Sequence, residues 1–178
     1  MASYSDFIAR LLLNPDLHKK LTPSEPVAWD LPAKIRDASD EVLSGGKTIA
    51  DAKMFALVRG ALLCAVDALD AAHRIFQDDS SDLGSYWHGV VHRREGDFEN
   101  ARYWFRRAGR LPMFDRMHQA AANVSPNMSR QTTWDGYLLT GLCEQAKFGD
   151  IGAIPECLRL QRVEFEELLA YCWRKGVA

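Results

Sequence analysis

The chain has 178 residues, a length suited to one domain with a buried core, and its 47% hydrophobic and 26% charged residues exclude an intrinsically disordered chain. A formal net charge of −2 provides no overall pull toward nucleic acid or an anionic membrane. The four cysteines, Cys64, Cys143, Cys157 and Cys172, form no CxxC pair and sit among apolar neighbours, which argues for reduced core thiols and against a zinc knuckle or redox motif.

The opening MASYSDFIARLLLNPDLHKK has no basic stretch ahead of its short apolar run, so it reads neither as a signal peptide nor as a spanning helix. A cytoplasmic protein with no membrane association is expected. Ser5 is placed to cap a first helix through about Leu13, stopped by Asn14-Pro15. Prolines 15, 23, 26 and 32 then mark an irregular arm over residues 14–31. Asp30 is the expected cap of a helix over 31–43, ended by Gly45-Gly46.

Between Thr48 and Gln77 the residues Ile49, Met54, Phe55, Val58, Leu62, Val66, Leu69, Ala72 and Phe76 recur at three- and four-residue steps, the pattern of one long central helix. A helical hairpin over 85–110 follows, with Gly96-Asp97 as its turn. A short helix near 114–122, a polar loop through Thr133 and two C-terminal helices, about 135–147 and 153–174, complete the chain. Asp135 is expected to cap the first of these, with Trp134 as the apolar residue before it, and Pro155 fits the opening turn of the last.

The hairpin resembles a single tetratricopeptide (TPR) unit. With Gly96-Asp97 set on that family's turn, Gly89 takes its small first-helix position and Ala101, Phe105 and Ala108 its second-helix packing positions. The resemblance implies a groove face that holds a partner peptide, carried by Tyr86, Val90, Arg93 and Arg94, with Trp87 beside it. Pro112 is one residue short of the family's proline, and the 34-residue period does not recur, so a regular solenoid is excluded and a compact all-α domain over 1–178 remains. The runs SYWHGVVHRREGDFENARYWFRRAG and LQRVEFEELLAYCWRK also resemble a family of small uncharacterised proteins from bacteria and fungi. That resemblance implies a shared helical fold and assigns no residue a role.

On the long helix Asp70, His73 and Gln77 form a polar line at i, i+3 and i+7, while His88 and His92 stand one turn apart on the next helix. Counting outward from the short connection sets His73 beside His88 and Asp70 beside His92. Imidazoles one turn apart with a third donor suit a divalent transition metal, held by His73, His88 and His92. Without metal, Asp70, His73 and His92 are candidates for general acid–base catalysis, the carboxylate fixing an imidazole tautomer. The same groups can instead satisfy one another as a buried network that locks helix register.

The arginines 93, 94, 102, 106, 107, 110 and 116 are interleaved with Tyr103, Trp104 and Phe105, a mixture able to hold phosphate and stack on bases. Glu95, Asp97 and Glu99 dilute that charge, which argues for a solvated face and against a nucleic-acid partner. Trp87 and Trp104 can wall a pocket beside the histidines or simply fill the core. Gly45-Gly46-Lys47-Thr48 lacks the first glycine and the strand of a phosphate loop, and no GxSxG occurs. The sequence thus points first to a helical protein-interaction or scaffold module that holds a protein or peptide. Its alternative is a metal-dependent or histidine-based enzyme or small-molecule binder, in which Arg93 or Arg94 holds an anion and Glu144 or Glu164 adds a carboxylate.

Overall fold

Two arginines decide where the helices stop. The computed structural model describes residues 3–178, and the first two residues of the N-terminal run lie outside it. Helix α1, Asp6–Leu12, starts at Ser5, whose hydroxyl accepts the Ile8 N–H at 3.3 Å. The expected helix over 31–43 is two: α2, Leu31–Asp37, and α3, Asp40–Ser44. At the junction Arg59 donates to the carbonyls of Ile35, Arg36 and Ala38 at 2.7, 3.2 and 2.9 Å, satisfying the end of α2, while Ser39 caps α3 by accepting from Val42 N. Asp30 makes no side-chain cap bond, and its carboxylate pairs with Lys34 instead. Gly45, at φ +67°, ends α3 as the sequence suggests.

The long central helix is also divided, into α4, Ala52–Ala65, and α5, Leu69–Gln77. The chain turns at Asp67, which adopts a left-handed φ of +65°, a conformation that aspartate tolerates better than most residues. Arg94 stabilises this corner from a distant helix, donating to the Cys64 carbonyl at 2.6 Å and to the Asp67 carboxylate at 2.5 Å.

Helices α6, Asp82–Glu95, and α7, Phe98–Ala108, are joined by Gly96-Asp97, with Gly96 at φ +86° and the Asp97 side chain accepting from Asn100 N. Gly89 permits the close approach of these two helices: a Cβ there would lie 2.8 Å from Phe105 Cε1 and 3.2 Å from the Ala101 carbonyl. Helix α8 is Phe114–Ala122, and the expected loop beyond it contains a one-turn helix, α9, Pro126–Ser129, capped by Ser125. Helix α10, Gly136–Phe148, is capped by Asp135, and a 3₁₀ turn, Ile151–Ala153, leads into α11, Ile154–Gly176, with Pro155 in its first turn.

All regular structure among the described residues is helical, with one isolated antiparallel bridge between Ile49 and Val177. Helices α4 to α7 pack each on the next, and α11 crosses α4, α8 and α10. A single apolar cluster runs from Ile8 to Trp173 and includes all four cysteines, each a buried free thiol. Among the described residues no helix is long and apolar enough to cross a membrane.

The face expected to meet a partner lies inside this core. Tyr86 is 1% exposed, Trp87 and Arg93 are 0%, and Arg94 is 2%. Arg93 donates from both terminal nitrogens to the buried Glu164, Tyr86 donates to Glu164 Oε1 at 2.8 Å, and Trp134 donates to the Tyr86 hydroxyl at 2.6 Å. Burial opposes the Arg93 charge, but the Glu164 carboxylate more than offsets it and the guanidinium pKa is raised. Burial, followed by the Glu164 charge, pushes the Tyr86 phenol well above its usual range. Tyr86 and Arg93 thus bind Glu164 between α6 and α11, Arg94 binds the α4–α5 corner and Trp87 stacks on Phe76, so this face is turned into the core.

Candidate metal centre

Three imidazoles meet where α5 packs on α6. The Ser81 cap starts α6 in a phase that turns His88 and His92 inward, 4% and 7% exposed, while His73 on α5 is half-buried. His73 Nε2 and His88 Nε2 are 2.5 Å apart. The ring centroids are separated by 4.5 Å for His73–His88, 4.9 Å for His73–His92 and 4.8 Å for His88–His92. One potential ligand nitrogen from each ring lies within 4.8 Å of the other two.

The hydrogen bonds assign the tautomers. Two facing nitrogens at 2.5 Å share one proton, and the other ring nitrogen of His88, Nδ1, is buried without a partner. An orphaned lone pair costs less than an orphaned N–H, so His88 donates from Nε2 and His73 accepts. His92 Nδ1 lies 3.1 Å from Glu95 Oε2, and its Nε2 lies 3.2 Å from the Asn100 amide nitrogen. His92 thus donates to Glu95 and keeps its Nε2 lone pair, which receives the amide. Carboxylate support of the second ring nitrogen is the usual way a metal-binding histidine is oriented. Burial, with His73 and His92 as like-charged neighbours, lowers the His88 pKa to about 4, against a weaker pull upward from Glu95. His88 is therefore a neutral imidazole throughout the neutral range, and it can offer Nε2 to a metal only by shifting the proton from that nitrogen to Nδ1.

A tetrahedral metal with bonds of about 2.0–2.1 Å sets nitrogen–nitrogen edges of about 3.3 Å. His73 and His88 would have to separate by about 0.8 Å to share such an ion. The Trp104 ring stacks on His88 at 3.9 Å, and the Arg107 guanidinium lies 5.5 Å from the indole centroid. Trp104 thus forms the aromatic wall the sequence allowed, whereas Trp87 stacks on Phe76 inside the core.

Of the candidates read from the sequence, His73, His88 and His92 come together. Asp70 does not: it is exposed on α5 and makes no bond to His92, because both histidines of α6 face His73. Gln77 is also exposed. Glu144 pairs with Arg102 and Glu164 with Arg93, so neither carboxylate turns to the cluster. Glu95 and Asn100 take the supporting roles. The spacing of Glu95, three residues after His92 on the same helix, is the signal that could have identified it, while Asn100 is brought in only by the α6–α7 turn.

The arginine set is dispersed among ion pairs: Arg93–Glu164, Arg94–Asp67, Arg102–Glu144, Arg110–Asp115 and Arg116–Glu167. Arg106 and Arg107 are exposed and pair with no carboxylate among the described residues. Compared with protein-family models, curated proteins and solved structures, the chain matches none.

Proposed function

We propose that this helical protein binds a divalent transition metal through His73, His88 and His92. The observation that carries the reading is the convergence of three imidazole nitrogens within 4.8 Å of one another. The Glu95 carboxylate behind His92 supports it. Three imidazole nitrogen ligands suit zinc, nickel or iron better than calcium or magnesium, which prefer oxygen donors. They also leave a fourth position on a tetrahedral ion, where water or a small molecule can bind.

Elemental analysis by mass spectrometry of the untagged protein, beside His88→Gln, tests the reading. Near-stoichiometric metal in the wild type and its loss in the variant is the expected result. A wild-type protein that is metal-free as purified and fails to retain zinc or nickel after incubation and desalting overturns it.

A second reading, a protein-interaction module, is favoured by a different surface from the one the sequence suggested. Phe7, Leu11, Leu31 and Ile35 line an apolar groove of about 500 Å³ between α1 and α2, and Trp29, two residues before Leu31, is 92% exposed. A large exposed aromatic near an apolar groove is the surface chemistry that protein partners use. Crosslinking or co-purification lost on Trp29→Ser would support this role.

A further inference from the structure

The corner between α4 and α5 opens on a second cleft, of about 580 Å³, that none of the three histidines lines. Its walls are the arm from Thr22 to Pro26, the Asp67–Ala71 corner, Arg36, Arg74, Glu95 and Lys147. Two kinds of unmet polar demand occur among these lining residues.

The first is a demand for an acceptor. Arg74 and Lys147 have no carboxylate within 4.0 Å among the described residues, whereas Arg36 already pairs with Asp37. Helix α5 begins at Ala68, which has no side chain able to cap it, so the Leu69 and Asp70 N–H groups at the cleft wall lack a partner. Cations beside uncapped N–H groups attract an acidic group.

The second is a demand for a donor. Asp67 is 4% exposed and lines the cleft, with Oδ1 held by Arg94, while Oδ2 is buried without a hydrogen-bond partner. A buried carboxylate oxygen left in this state is costly unless something donates to it. Asp70 and Glu95 add two more carboxylates to the wall, which disfavours a bare polyanion and favours a ligand that brings its own donor.

We infer that this cleft binds a small molecule carrying one acidic group, carboxylate or phosphate, together with a hydroxyl or amine donor. The acidic group sits against the start of α5 between Arg74 and Lys147, and the donor reaches Asp67. The inference stands independently of the histidine site, with which the cleft shares Glu95 alone.

The test is a ¹⁵N NMR titration of the full chain with glycerol 3-phosphate and with glycerate, and with inorganic phosphate as the probe that lacks the carbon-bound hydroxyl donors. Saturable shifts at the amides of residues 68–71, with one donor-bearing probe binding about tenfold more tightly than inorganic phosphate, are expected. Whichever of the two binds better separates phosphate from carboxylate. Arg74→Gln combined with Lys147→Gln changes two exposed side chains and should weaken binding about tenfold or more, whereas His88→Gln should leave it unchanged. The proposal is overturned by the absence of saturable shifts with every probe, by inorganic phosphate binding as tightly as both others, or by shifts that persist in the double variant.

Discussion

Arg93 and Glu164 lie 71 residues apart in sequence and are joined by two hydrogen bonds in a place no solvent reaches. The pair ties α6 to α11 and also holds the Tyr86 hydroxyl, which in turn receives Trp134. Removing one member leaves an uncompensated charge in the core. Glu164→Gln and Arg93→Met are each expected to cost about 3–5 kcal/mol, read as a fall in the urea midpoint. The Arg93→Met/Glu164→Met double variant should cost clearly less than the sum, because no orphaned charge remains. Additive losses would show that the two groups do not act as a pair.

Glycine substitutions separate close helix packing from helix propensity. In Gly89→Ala the new methyl meets the Phe105 ring at 2.8–2.9 Å and the Ala101 carbonyl at 3.2 Å, so α6 and α7 must move apart. Overpacking of this kind costs about 1–3 kcal/mol. At Gly141, inside α10, a Cβ meets nothing within 4 Å. Gly141→Ala should therefore stabilise by roughly 0.5–1 kcal/mol through helix propensity. Thermal denaturation of the two variants should move in opposite directions, and equal shifts would contradict the packing argument.

The α6–α7 turn, the caps at Ser5 and Asp135 and the end of α3 at Gly45 were legible in the sequence because each depends on residues next to one another in the chain. The two unexpected helix breaks were not. Ala38 and Val66-Asp67-Ala68 contain no proline or glycine, and the groups that satisfy the broken ends, Arg59 and Arg94, come from other helices. For the same reason Arg93 and Arg94 seemed to belong on a surface: a buried arginine is recognised through its carboxylate partner, and Glu164 and Asp67 are remote in sequence. The His73–His88 contact was legible from counting along two helices joined by a short connection. The assignment of Asp70 to His92 failed because a single α5 residue, His73, meets both histidines of α6.

Acid sensitivity follows from two neutral histidines. His18 takes a left-handed φ of +58° and packs its ring 4.6 Å from that of Phe165. Burial first, then Arg94 and Arg162, lower its pKa to about 3, and His88 is lowered to about 4. Both groups bind a proton near pH 6.5 when unfolded but resist it when folded. Their contribution to stability is therefore full above pH 6.5 and is lost as the pH falls toward 4, and further toward 3 for His18. His18→Asn keeps a residue that tolerates the left-handed backbone and removes the titration. Denaturation between pH 7 and 4 should show a shallower loss of stability in this variant than in the wild type, and parallel curves would refute the assignment.

Glu95 and Asp70 give opposite predictions for the histidine site. Glu95 accepts from His92 Nδ1 and so fixes the tautomer whose Nε2 carries a lone pair, which the Asn100 amide now occupies and a metal would take over. Asp70, one turn before His73, touches none of them. Glu95→Gln retains the size of the side chain but loses the charge that orients the imidazole, and the corresponding loss in metal affinity is about 10–100-fold. Asp70→Asn should leave affinity unchanged. Competition of each purified variant against a chromophoric zinc chelator measures this difference directly. Equal affinities for the two variants would mean that the carboxylate behind His92 has no part in binding, and a loss confined to Asp70→Asn would place the ion on the opposite flank of α5.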